Sequence, residues 1–211
     1  MAAAPLLEVR RLGLTRYEDA HALQEALVLA RAEARVSDTL LFTEHEPVVT
    51  LGRGSPVGDA AGSGLRVVEI ERGGEATWHG PGQLVGYPIL LLPEGRRDLH
   101  RYLRDLEQVV IRALGDFGVI GERVEGKTGV WVAGRKLCSL GVAVRRWVTW
   151  HGFALNVHAD LSDFRRFKPC GLDPALMANL DEFAEVPAGL DAVERRVEAH
   201  FRAVFGYSDP G

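Results

Sequence analysis

The stretch GRKLCSLGVAVRRWVTWHGFALNV, from Gly134 to Val157, decides the fold class of this chain. It is rich in β-branched and aromatic residues, and it divides into two strand-like runs, Lys136–Val144 and Val148–Val157. Val130-Trp131-Val132 and a turn at Ala133-Gly134 precede it, so Val119 to Val157 reads as a β meander. Working outward, strands are expected near Leu6–Leu12 and at Thr39–Phe42, Val48–Leu51, Arg66–Ile70 and Leu84–Leu92. Thr15-x-x-Glu18 reads as a capping box opening a helix, in which Ala20, Leu23, Leu27, Ala30 and Ala34 recur at helical spacing. Asp98 caps a second helix, where Leu99, Tyr102, Leu103, Leu106, Val109, Val110, Ala113, Leu114 and Phe117 make one apolar face. Short helices are expected at Pro174–Asn179 and Asp191–Phe205. Many strands with few helices in mixed order predict an α+β domain. Residues 1–211 read as one domain, with about 158–211 as a small C-terminal lobe carrying a cysteine loop.

Composition narrows the function classes. With 211 residues, 46% hydrophobic and 26% charged, the chain can bury a real core and is neither disordered nor a disulfide-stapled miniprotein. Its longest apolar stretch, Tyr87 to Leu92, is far short of the ~20 residues that span a bilayer. A net charge of −4 gives no basic field for nucleic acid. The N-terminus lacks a signal-peptide pattern, and the two cysteines, Cys138 and Cys170, read as free thiols in a reducing cytoplasm. No Cys-x-x-Cys pair occurs and the seven histidines lack ligand spacing, so no metal is expected. Only Lys127, Lys136 and Lys168 are lysines among 25 basic residues, which makes each worth questioning.

Chemistry concentrates in three places. Arg72-Gly73-Gly74-Glu75-Ala76-Thr77-Trp78-His79-Gly80-Pro81-Gly82-Gln83 packs glycines around polar groups between two expected strands. It suits a ligand-facing loop, although a long hairpin needing glycine turns would look similar. It is neither a phosphate loop nor a dinucleotide fingerprint. On a strand, Lys136, Cys138 and Leu140 share a face. A lysine there is ordinarily a solvated rim residue, and Cys138 a small core hydrophobe. Cys170, in the loop Phe167-Lys168-Pro169-Cys170-Gly171 beside Arg165 and Arg166, has the loop position and cationic company that favour a reactive thiolate, although a lone loop cysteine can also be incidental. Lys136, His79 or His151 could each serve as its partner. His151-Gly152 otherwise reads as a turn with a partly buried imidazole.

RGGEATWHGPGQLVGYPI (Arg72–Ile89), the Gly134–Val157 stretch and Pro169-Cys170-Gly171 together resemble the lipoyl(octanoyl) transferases of lipoate biosynthesis, in order, across about His45 to Asn179. The resemblance implies the fold of biotin protein ligase and lipoate–protein ligase catalytic domains, a mixed sheet flanked by helices. It implies an acyltransferase without cofactor, moving octanoyl from acyl carrier protein, through a cysteine thioester, to a lysine of lipoyl domains. Those domains belong to 2-oxoacid dehydrogenase complexes and the glycine cleavage H protein. By motif position Cys170 is the nucleophile and Lys136 the lysine that lowers its pKa. Arg72, Gly73, Gly74, Glu75, Ala76, Thr77, Trp78 and His79 line the acyl pocket, with Ser139, Leu140 and Gly141, and with Gly152, Phe153 and Ala154. Leu172 stands where the family commonly has an aromatic, and Trp150 and Phe153 vary positions near the pocket. Lys168 would assist electrostatically, and a monomer is expected. The rival readings are an ATP-dependent lipoate–protein ligase of the same fold, a non-catalytic carrier-protein binding module, and a cysteine hydrolase.

Overall fold

The computed structural model describes residues 6–56, 60, 62–167 and 169–208, with Cys170 described through its backbone alone. Elements run in the order β1 (Leu7–Thr15), α1 (Tyr17–Ala32), β2 (Asp38–His45), β3 (Val48–Leu51), β4 (Val67–Glu69), β5 (Thr77–His79) and β6 (Gln83–Ile89). Then come α2 (Leu99–Gly115), β7 (Glu122–Val124), β8 (Lys127–Val132), β9 (Arg135–Arg145), β10 (Val148–Asn156) and α3 (Leu190–Phe205). Short 3-10 turns at Leu161–Arg166, Pro169–Gly171 and Pro174–Leu176 carry the chain from β10 towards α3.

Among the described residues the strands form a seven-stranded sheet, β1-β2-β6-β10-β9-β8-β7, and a three-stranded one, β4-β3-β5. The meander read from Val119 to Val157 is the antiparallel run β7 to β10. Parallel pairs at β1–β2 and β3–β4 make both sheets mixed, as expected of the α+β class. Side-chain alternation along β2 and β10 splits the core. Leu40, Phe42, Phe153 and Leu155 pack under α2 and α3. Leu41 and Ala154 pack under α1 with Val85 and Tyr87. Ala178, Val193, Val197 and Phe201, late in the chain, join the cluster of Leu40, Leu106 and Phe153. No helix is long and apolar enough to cross a membrane among the described residues.

Asp98 caps α2 as expected, its carboxylate accepting from the Arg101 N–H. The capping box at Thr15 does not form. Thr15 remains in β1, its hydroxyl sharing a hydrogen bond with Thr43, and the N-cap is Arg16 without a side-chain bond. Tertiary pairing of β1 with β2 takes Thr15 before the helix can use it. The helix expected at Pro174–Asn179 is a single 3-10 turn capped by Asp173. The glycine-rich Arg72–Gln83 stretch is more than a loop, because Thr77–His79 within it pairs with β3.

Glu107 of α2 is fully buried and reaches across to β8. It accepts from the Gly129 N–H at 3.0 Å and from Arg104 and Arg123 at 2.7 and 3.0 Å. Arg104 and Arg123 are themselves 50% and 35% exposed, so the buried members of the set are the carboxylate and the Gly129 N–H. Glu107→Ala leaves that N–H without its acceptor and opens a void, and is expected to lower the unfolding free energy by about 1–3 kcal/mol. Glu107→Gln, which keeps an acceptor for Gly129, should cost less. Urea unfolding of the two variants measures the difference.

Candidate active site

A narrow cavity of about 40 Å³ opens where β5, β6, β9 and β10 converge beneath α1. Apolar walls come from Ile70, Val85, Leu140, Phe153 and Ala154, and polar tips from Tyr17, Thr77, His79, Tyr87 and His151. Of the residues expected at an acyl pocket, Arg72, Gly74, Thr77 and His79 border it. So do Ser139, Leu140 and Gly141, with Gly152, Phe153 and Ala154 opposite. Gly73, Glu75, Ala76 and Trp78 do not. Strand alternation turns Trp78 away from Thr77 and His79 and onto Phe164, and Ala76 joins the same cluster with Phe167 and Met177. That cluster is the apolar floor beneath the turns after β10. Glu75 instead lies against Gly171, whose Cβ position would stand 3.0 Å from Glu75 Oε2.

Gly141 and Gly152 do not widen the cavity, because neighbours fill the space beside them. A Cβ on Gly141 would stand 2.8 Å from Arg72 Cδ, and one on Gly152 would stand 2.2 Å from the Gly86 carbonyl oxygen. Gly141 thus admits Arg72. The Arg72 guanidinium, 7% exposed, donates to the carbonyls of Thr50, Gly73 and Glu75 and to Thr50 Oγ1.

From Arg72 a buried chain of hydrogen bonds follows. Thr50 Oγ1 lies 3.3 Å from His79 Nε2, and His79 Nδ1 lies 2.8 Å from Gln83 Oε1. An amide oxygen only accepts, so Nδ1 carries the ring proton and Thr50 donates to Nε2. Gln83 Nε2 donates to Asn156 Oδ1, and Asn156 Nδ2 donates to the Ala178 carbonyl. The Ala178 N–H then donates to the Lys136 carbonyl. Every donor points the same way along the chain.

Lys136 is 4% exposed on β9, contrary to a solvated rim position. Its stem runs past Gly129, where a Cβ would meet Lys136 Cε at 2.7 Å, and its ammonium stands 5.7 Å from the Trp131 ring centroid. Cys138 is fully buried in the core, and burial pushes its thiol pKa up. Turn Pro169–Gly171 packs on β5, and seven residues after Cys170 the same segment bridges Met177 to Lys136. The Cys170 side chain and the whole of Lys168 lie outside the described residues.

Histidines around the cavity are held neutral. Burial lowers His79 well below its ordinary pKa, His45 to about 4 and His151 to about 3. His45 backs the wall, its Nδ1 on the Thr15 carbonyl and its Nε2 2.7 Å from Tyr87 Oη. Both His151 ring nitrogens and Tyr17 Oη lack a hydrogen-bond partner among the described residues. Tyr17, His45 and Tyr87 escape sequence reading because they come from α1, β2 and β6. A titratable residue inside an otherwise apolar strand, as Tyr87 is in QLVGYPI, is the one sign available.

Residues 16–202 match the family model of the lipoyl protein ligase A/B catalytic domain. A curated octanoyltransferase of Syntrophotalea carbinolica is 48% identical over 198 residues, covering 94% of each chain. One from Rubrobacter xylanophilus is 49% identical, covering 97% of this chain and 96% of that one. One from Geobacter sulfurreducens is 54% identical over 79% of this chain and 71% of its own. Among solved structures, a putative lipoate protein ligase from T. acidophilum with bound lipoic acid superposes with TM-score 0.73 at 18% identity, over 95% of this chain and 86% of that one. A biotin protein ligase from Leishmania major gives 0.58 at 12%, over 97% and 76%. These distant likenesses show the fold alone, the one expected from the motifs.

Two outcomes follow from the site's polar groups. Gln83→Leu orphans the His79 Nδ1–H and Asn156 Oδ1 together, and should cost about 2–4 kcal/mol in urea unfolding. The pH dependence has a definite sign. The folded pKa of His45 is depressed from 6.5 to about 4, so the unfolded chain binds the extra proton between these values. Its stabilising share, about 3 kcal/mol, is present above pH 6.5 and lost as pH falls towards 4. Urea midpoints should therefore fall from pH 7 to 4.5, and fall less in His45→Gln.

Proposed function

We propose, from the premise that the chain belongs to the lipoyl protein ligase A/B catalytic-domain family, that it transfers octanoyl through a Cys170 thioester with Lys136 as the proton carrier. The chain is an acyltransferase that moves octanoyl groups in lipoate biosynthesis, as its octanoyltransferase relatives indicate. Acyl carrier protein and lipoyl domains are in general terms its substrates. As acceptors we propose the lipoyl domains of 2-oxoacid dehydrogenase complexes and the glycine cleavage H protein. The enzyme works in the cytoplasm as a monomer, and residues 1–211 act as one catalytic domain.

The observation that supports the cysteine–lysine route is the segment after β10. Its turn at Pro169–Gly171 rests on β5, and at Met177 it pairs with Lys136 itself. One short piece of backbone therefore ties the Cys170 turn to the lysine. Lys136 is buried, and its ammonium makes no hydrogen bond or ion pair among the described residues. Cys138 is deep in the core with its thiol pKa raised, the opposite of a nucleophile's requirement.

In this reading the Cys170 thiolate attacks the octanoyl thioester carbonyl. The tetrahedral intermediate expels the carrier's pantetheine thiolate, which takes a proton from the Lys136 ammonium. The acceptor lysine amine then attacks the acyl-enzyme and gives a proton to the now neutral Lys136, and Cys170 leaves as thiolate. Protons and charge balance over the cycle. The thioester donor is already activated, so no ATP is consumed. The apolar walls of Val85, Leu140 and Phe153 suit an alkyl chain.

Intact mass after incubation with octanoyl carrier protein should show one added octanoyl group, lost on adding a lipoyl domain. The adduct should vanish in Cys170→Ala and persist in Cys138→Ala; the reverse pattern would overturn the assignment. Lys136→Ala should lower turnover about 100-fold or more and raise the pH at which Cys170 is alkylated. Dependence on ATP would favour a ligase instead.

A further inference from the structure

His151 is the most exceptional side chain at the cavity wall. It is 2% exposed, its backbone is left-handed at φ 54°, and neither ring nitrogen has a hydrogen-bond partner among the described residues. A buried imidazole in that state is costly unless something else takes up its lone pair. Its Nε2 lies 3.8 Å from Glu71 Oε2, and the same oxygen lies 3.1 Å from His21 Nε2. One donor atom from each of the three residues falls within 4.8 Å of the others.

We propose that His21, Glu71 and His151 form a binding site for one transition-metal dication of the zinc class. The site is independent of the acyl-transfer reading. Two imidazoles and one carboxylate suit zinc, cobalt or nickel better than calcium or magnesium, which prefer oxygen. Donors 2.0–2.2 Å from a tetrahedral ion stand about 3.3–3.6 Å apart, so the cluster needs only a small contraction. Three protein donors leave a fourth position open. An outer carboxylate is also present, since Glu25 Oε2 stands 3.9 Å from His21 Nδ1 on the next turn of α1 and can orient that ring. Arg53 and Arg72 face His151 and oppose a cation, so the charges of Glu71 and Glu25 must outweigh them.

The donors come from α1, the segment after β4, and β10, and span 131 residues of chain. Metal-ligand spacing in sequence could not reveal them, and the expectation of no metal rested on that spacing alone. An ion here would tie α1 to β10 beside the cavity. It would also have an optical reporter, because Trp150 stacks on His151 at 4.3 Å and lies 5.5 Å from His21.

The test is titration of the metal-free 211-residue chain with Co²⁺, in a Cys170→Ser background so that the thiol of Cys170 cannot compete. One Co²⁺ per chain is expected, with the visible bands of a four- or five-coordinate ion, displaced by Zn²⁺. Tryptophan quenching should follow the same isotherm and be largely lost in Trp150→Phe. His21→Ala and Glu71→Gln should each weaken binding at least about tenfold, with Glu25→Gln weakening it by roughly tenfold at most. Circular dichroism verifies that each variant is folded. Absence of stoichiometric Co²⁺ binding, or binding unmoved in folded His21→Ala and Glu71→Gln, would overturn the proposal.

Discussion

The hydrogen bonds that run from Arg72 through Thr50, His79, Gln83 and Asn156 to Ala178 and the backbone of Lys136 join the two halves of the site. Taking a guanidinium out of water costs several kcal/mol unless its donors are satisfied. Arg72 meets that condition with backbone carbonyls of Thr50, Gly73 and Glu75, so its burial fixes the loop around it. Direction matters as much as distance. Because the Gln83 amide nitrogen donates to the Trp78 carbonyl and to Asn156, its oxygen is left to accept from His79 Nδ1. Reversing one member would set donor against donor or acceptor against acceptor. The cavity wall at His79 is thereby linked to the β9 strand carrying Lys136 by one unbroken hydrogen-bond path.

That coupling explains how a glycine-rich stretch can be rigid. Its glycines are there to be approached: a Cβ on Gly82 would stand 2.7 Å from the His158 carbonyl oxygen, and one on Gly80 would stand 2.1 Å from the Trp78 ring. The same burial that immobilises Arg72 leaves the surrounding imidazoles neutral. The cavity is thus bordered by apolar side chains, uncharged rings and one pinned cation, with fixed dipoles at its edge. Lys136 is handled differently. Its charge faces the Trp131 ring instead of a carboxylate, and Glu107, the nearby buried acid, is already held by Arg104, Arg123 and the Gly129 N–H.

Legibility in the sequence tracks how local the cause is. Helix α2 is readable because one apolar stripe and one capping aspartate act within a few residues, and the β8–β10 meander because strand propensity runs unbroken there. The capping box at Thr15 misleads because a β1–β2 pair, set by residues some 30 positions on, claims the hydroxyl. Strand β5 is hidden by the glycines beside it, and with it the alternation that turns Thr77 and His79 inward but Trp78 outward. Motif position marked the whole Arg72–His79 run as pocket. Within β5 the pleat separates Thr77 and His79, which line the cavity, from Trp78, which joins the floor cluster.

The two cysteines show where composition ends and physics begins. Sequence put both within reach of Lys136, Cys138 by strand face and Cys170 by its loop. A nucleophile must ionise, and ionisation needs either solvent or a stabilising neighbour. Cys138 has the cation nearby yet sits among Val130, Leu137 and Leu155, and desolvation outweighs the attraction of Lys136. Proximity to a lysine is thus insufficient inside a core, because the same low dielectric that strengthens the attraction penalises the lone charge more. The backbone of the turn that carries Cys170 packs on β5, outside the cluster that buries Cys138.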